Sequence, residues 1–134
     1  MKERLTAAAK AAMQNAYSPY SGFCVGAALL CEDGSIYTGC NIENAGYSAT
    51  NCAERTAFFK AVSDGKRNFT AIAVCGGKNG VLTDTPCPPC GVCRQVMREF
   101  CKDDFTVYLV ANTAVTETTL GDLLPQSFNA QNIH

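Results

Sequence analysis

Residues 24–62 read CVGAALLCEDGSIYTGCNIENAGYSATNCAERTAFFKAV, and this stretch decides the fold class. Cys24 to Cys31 is apolar and rich in small residues, the composition of a buried strand. Glu32-Asp33-Gly34-Ser35 supplies turn chemistry, and Ile36 to Asn41 reads as the strand returning from a hairpin. The polar run 43–51 makes a loop. Cys52 to Val62 then has helix-forming composition, with Asn51 where an N-cap belongs.

The flanks continue the alternation. Leu5, Ala8, Ala9, Ala12 and Met13 recur at helical spacing within residues 2–16, and the loop Tyr17 to Gly22 ends that helix. Ala71 to Cys75 is a short apolar strand closed by Gly76-Gly77. The proline-rich segment 85–90 excludes helix and central strand. Helix resumes near Gly91 and runs to Cys101; Thr106 to Ala111 is a strand; residues 119–124 suit a short helix; the tail from Pro125 is irregular. Helices alternating with strands predict an α/β domain, one mixed sheet covered by helices on both faces, spanning 1–134 as a single unit.

Composition narrows the chemistry. Hydrophobic residues make up 47% of the chain, enough for a core, and the net charge is −1 with no basic stripe, which argues against nucleic acid as partner. No apolar run is long enough to span a bilayer, and Met1 to Leu5 lacks the features of a secretion signal, so the expected compartment is the cytoplasm. Nine cysteines, an odd number in a reducing compartment, point to metal binding for the clustered ones and to core filling for Cys24, Cys31, Cys40, Cys75 and Cys101. The only histidine is His134, the last residue, which excludes a Ser-His-Asp triad or a Cys-His pair.

Two segments carry the chemistry: Cys52-Ala53-Glu54-Arg55 and Pro89-Cys90-Gly91-Val92-Cys93-Arg94, each where a loop enters a helix. Thiolates from Cys52, Cys90 and Cys93 would fill three positions of a tetrahedral zinc site, one ion per chain, and leave the fourth for water, the pattern of a catalytic centre. Cys87 offers a fourth thiol, which would make a closed structural site. Pro88-Pro89 hold it extended away from the helix start, so it is read as a non-ligand. Glu54 can lean past the helix end toward the zinc-bound water without binding the metal, although an acidic residue in a first turn also complements the helix dipole. Zinc with three thiolates carries −1. Arg55 and Arg94, next to the clusters, are expected to draw charge off sulfur.

Cys-Ala-Glu followed by Pro-Cys-x-x-Cys is the all-cysteine form of a zinc-deaminase signature. Tyr17-Ser-Pro-Tyr-Ser-x-Phe23, Val25-Gly-Ala-Ala28, Asn41-Ile-Glu-Asn44 and Leu123-Leu-Pro-x-x-Phe128 surround it, and together they resemble the small homotetrameric cytidine deaminases from Tyr17 to Phe128. The resemblance implies a three-layer α/β/α sandwich with a mixed five-stranded sheet. It implies hydrolytic deamination of free cytidine and deoxycytidine in pyrimidine salvage, with Cys52, Cys90 and Cys93 on zinc and Glu54 as proton shuttle. It implies that Asn41 and Glu43 hold the ribose, and that Phe23 and Ala53 line the pocket. Ala45, Gly46 and Tyr47 would come from a loop across a subunit interface, and Phe128 would stack on the base from a neighbouring subunit. A blasticidin-S-type deaminase, a deaminase of RNA or DNA, and a non-catalytic zinc-stabilised binding module are the alternative readings.

Overall fold

The computed structural model describes residues 1–133; His134 lies outside the described residues. The elements are α1 (Lys2–Met13), β1 (Phe23–Cys31), β2 (Ile36–Cys40), a 3-10 turn (Tyr47–Ala49), α2 (Ala53–Ser63), β3 (Phe69–Lys78), α3 (Gly91–Phe100), β4 (Thr106–Val110), β5 (Val115–Thr119) and α4 (Leu120–Leu123). The strands form one mixed sheet in the order β2-β1-β3-β4-β5. The β3–β4 pair is parallel, joined through α3, and the other three pairs are antiparallel.

The period-2 alternation of the strands sorts the apolar side chains into two cores. Ala28, Leu30, Ala71 and Ala73 face α1, where Leu5, Ala9 and Met13 cover them. Ala27, Leu29, Ile72, Val74, Val107 and Leu109 face the other way, against Ala57, Phe58 and Ala61 of α2 and Cys93 and Met97 of α3. The sheet therefore lies between two helical layers, as the three-layer reading expects. Among the described residues no helix is long and apolar enough to cross a membrane.

Three details depart from the sequence reading. Strand β3 does not stop at Gly76-Gly77 but runs to Lys78, because β1 offers an antiparallel partner as far as Phe23. Strand β5, Val-Thr-Glu-Thr-Thr, is missed by the residue pattern: it is a polar edge strand with no buried residue, recruited by pairing with β4. Finally, the N-cap position of α2 is held by Cys52, without a side-chain cap bond, and not by Asn51, whose side-chain amide donates to Thr56 Oγ1 at 3.1 Å.

Close approach at Gly39 sets the position of α2. A Cβ there would lie 2.4 Å from the Ala53 carbonyl oxygen and 2.7 Å from the Ala57 nitrogen, so the helix rests directly on the β2 backbone. Gly39→Ala is expected to push α2 outward and lower stability by about 1–3 kcal/mol, the ordinary penalty of overpacking. Urea unfolding measures it, and an unchanged midpoint would show that α2 yields freely.

Candidate active site

Two helices begin beside one another at the metal candidates. Cys52 is the N-cap residue of α2, with φ −79° and ψ 156°, and Cys90 is the N-cap residue of α3, with φ −69° and ψ 169°. Both have the extended backbone that an N-cap requires, and neither side chain caps its own helix. The two sulfurs are thus free to face each other at the positive ends of two helix dipoles, where a thiolate is favoured. Cys93 lies three residues into α3 and is buried, so its sulfur returns toward the same point.

The resulting cluster has Cys52 Sγ 3.8 Å from Cys90 Sγ and Cys90 Sγ 3.5 Å from Cys93 Sγ, with all three sulfurs within 4.8 Å of one another. A tetrahedral zinc with bonds of about 2.3 Å sets its sulfur ligands about 3.8 Å apart. The spacing and the soft donor set both fit zinc. Cys87 is not in the cluster.

Electrostatics follow from this packing. Cys52 is drawn down to about 5, first by a hydrogen bond from the Cys93 thiol and then by Arg55, against an opposing effect of burial. Arg55 Nη2 donates to Cys52 Sγ at 3.2 Å. Cys93 is correspondingly pushed up, chiefly by its hydrogen bond to Cys52. Glu54 is 4% exposed, and burial pushes its carboxyl up to about 7, with its own amide as the first opposing influence. Its carboxyl lies close enough to Cys52 and Cys93 to be influenced by both.

Arg94 is placed differently from the sequence expectation. Its Nε donates to the Pro89 carbonyl at 2.8 Å and its Nη1 to the Leu123 carbonyl at 2.6 Å, and neither bond goes to sulfur. It braces the loop that carries Cys90 against α4. The physical reason is direction: the guanidinium extends past the helix start to the orphan carbonyls beyond it.

The substrate candidates divide into two groups. Ala53 is fully buried at the first position of α2, beside the cluster. Asn41, 9% exposed, pins the entry of β1: its Oδ1 accepts from Val25 N and its Nδ2 donates to the Phe23 carbonyl, both at 2.8 Å. That leaves one Nδ2 hydrogen and one Oδ1 lone pair for a ligand. The Glu43 carboxylate accepts from the amides of Tyr20 and Ser21 at 3.0 and 3.1 Å and from the Ser21 hydroxyl, which holds it below its ordinary value. Sequence reading missed this role of Ser21. The Tyr17–Phe23 motif was the available signal, since its loop packs on Glu43 through Tyr20 and Ser21.

Glu43 lines an open concavity with Tyr20, Ser21, Asn44, Tyr47 and Thr50. Ala45, Gly46 and Tyr47 project into solvent, Tyr47 with 86% of its surface exposed. Phe128 is 61% exposed, and its carbonyl accepts from Gln95 Nε2 of α3 at 2.9 Å. Within one chain, then, neither the 45–47 loop nor Phe128 is packed into the metal cluster.

Residues 1–109 match the family model described as the cytidine and deoxycytidylate deaminase zinc-binding region. The chain is similar to a cytidine deaminase of Sporosarcina psychrophila, 55% identical over 132 residues, covering 98% of this chain and 93% of that protein. It is also similar to the crystal structure of a cytidine deaminase from Burkholderia pseudomallei, with a TM-score of 0.88 and 50% identity over 96% of this chain and 99% of that one. A blasticidin-S deaminase of Bacillus cereus is more distant, 31% identical over 107 residues, 78% of this chain and 76% of that protein.

Proposed function

The chain belongs to the cytidine and deoxycytidylate deaminase family, and from that premise we propose that it hydrolyses free cytidine and deoxycytidine to uridine and deoxyuridine, releasing ammonia. The observation that carries this reading is a buried carboxylate, Glu54, packed against a three-thiol zinc site. A binding module would have no use for so costly a burial.

Cys52, Cys90 and Cys93 would hold the zinc. When bound, zinc supplies the Lewis acidity that makes water a nucleophile at neutral pH. Arg55 offsets the net negative charge of three thiolates through its hydrogen bond to Cys52. Glu54 accepts a proton from the attacking water and passes it to N3 of the ring as oxygen bonds to C4. It then passes the second water proton to the departing amine. The C4–N4 bond breaks, ammonia leaves, and C4 keeps the oxygen as a carbonyl. A carboxyl held near 7 by burial suits both directions of transfer. Asn41 and Glu43 meet the ribose hydroxyls, with Phe23 and Ala53 along the pocket wall.

The assembly we propose is a homotetramer with shared sites. Tyr17, Tyr20, Ile42 and Tyr47 are large and exposed; Tyr17 and Ile42 pair through a backbone bridge, and Tyr20 and Tyr47 line one concavity, the character of a covered surface. The 45–47 loop and Phe128 would complete a neighbour's site. Phe128→Ala is then expected to raise KM about 10-fold with kcat nearly preserved, through loss of base stacking worth about 1–3 kcal/mol. Steady-state kinetics checks it, and an unchanged KM would assign Phe128 to packing. Pyrimidine salvage in the cytoplasm is the setting we propose, with no nucleic-acid or membrane partner.

Chromatography of a cytidine incubation tests the activity: one uridine and one ammonia per cytidine lost supports it. Turnover of blasticidin S with cytidine untouched would reassign the substrate to the more distant relative's class.

A further inference from the structure

Cys87 is the cysteine that the zinc site leaves over, and its surroundings give it another use. It sits in the rigid run Pro86-Cys87-Pro88-Pro89 leading into Cys90, so its distance from the metal helix is fixed by the chain itself. Across from it, β3 carries no side chain at Gly76. A Cβ at Gly76 would lie 3.1 Å from Phe23 Cε2 and 3.2 Å from Cys87 Sγ, so ring and thiol flank one bare strand position. The thiol is half-buried and makes no hydrogen bond among the described residues. Burial, and then the nearby Glu54 carboxyl, push it up and keep it neutral. Glu54 itself is 4% exposed, and burial is the main influence on its carboxyl. Cys87 therefore has Phe23 as one neighbour across Gly76 and lies within electrostatic reach of the buried Glu54 carboxyl.

We propose that Cys87 is a wall residue of the nucleoside pocket, set between Phe23 and Glu54, and that its side-chain volume limits the group a pyrimidine can carry at C5. The proposal rests on the deaminase reading above. Glu54 works at N3 and at the amine on C4, so a neighbour of Glu54 meets that end of the ring and not the sugar. C5 is the next ring position beyond C4. A neutral thiol is a small, polarizable, apolar surface suited to that edge.

The test compares kcat/KM for cytidine and for 5-methylcytidine in wild type, Cys87→Ala and Cys87→Leu, with zinc measured in each preparation. One methylene in an apolar pocket discriminates about 10–200-fold. Cys87→Leu is expected to lower the 5-methylcytidine to cytidine ratio at least about 10-fold, and Cys87→Ala to raise it, both with about one zinc per chain. Cys87→Val replaces Leu if the larger side chain does not fold. An identical ratio in all forms overturns the proposal, and so does loss of zinc in Cys87→Ala, which would make Cys87 a ligand. Failure of the underlying deaminase reading is separately visible, as wild type that holds zinc but leaves cytidine unchanged.

Discussion

Glu54→Gln is expected to lower kcat for cytidine by about 10³–10⁴-fold while zinc content stays at one per chain. General acid–base catalysis by one positioned group contributes about 10²–10⁴-fold, and Glu54 is asked to act more than once in each turnover. Glutamine keeps the shape and can hydrogen-bond, but it cannot carry a proton back and forth. The thiol cluster lies on Cys52, Cys90 and Cys93, so the metal should be indifferent to the change. Folding stability should be equal or higher, because burial at 4% exposure penalises the charged form of Glu54 and a neutral amide relieves that penalty. Single-turnover kinetics with metal analysis checks the result. Full activity in the zinc-loaded variant would end the proton-shuttle assignment.

Removal of a thiol should act on fold and activity together. Cys52→Ala is expected to abolish stoichiometric zinc and to reduce turnover to background. The effect on stability follows from linkage. A metal present at about 1,000 times its dissociation constant stabilises the folded state by about 4 kcal/mol. In a domain of this size each kcal/mol is worth about 4 °C. The thermal midpoint should therefore fall by about 10 °C or more, and chelation of the wild type should reproduce that fall. Calorimetry before and after chelator separates this from a simple packing defect: Cys52→Ala should no longer respond to chelator. Loss of activity with zinc retained would show that the ligand set is different from the one assigned.

The sequence exposed the centre of this molecule more clearly than its periphery, and the reason is local encoding. Cys90 and Cys93 are three apart at a helix start, a spacing that shares one side, while Cys52 is the extended residue before α2 and Glu54 lies in its first turn, so both stand at the same helix end. Apolar composition located β1 and β4, turn chemistry located β2, helix-forming composition located α2, and apolar residues at helical spacing located α1. β5 has no buried residue and exists by pairing with β4, an interaction a single strand does not advertise. The full length of β3 likewise depends on β1 running alongside it. Arg94 and Arg55 look equivalent beside their cysteines, yet only Arg55 reaches sulfur; Arg94 finds carbonyls on a loop and on α4. Such choices are made by tertiary neighbours. Asn41, Glu43 and Phe128 entered through resemblance, and the structure shows Asn41 and Glu43 bracing the β1 entry and the preceding loop.

Zinc titrated into chelated protein, with cytidine followed by its ultraviolet absorbance in the same samples, tests zinc-dependent deamination directly. Activity is expected to rise linearly with bound zinc and to level off at about one zinc per chain, the stoichiometry of a single three-thiolate site with an open position. Zinc binding at that stoichiometry with no loss of the cytidine band, or cytidine turnover that persists without zinc, would contradict it.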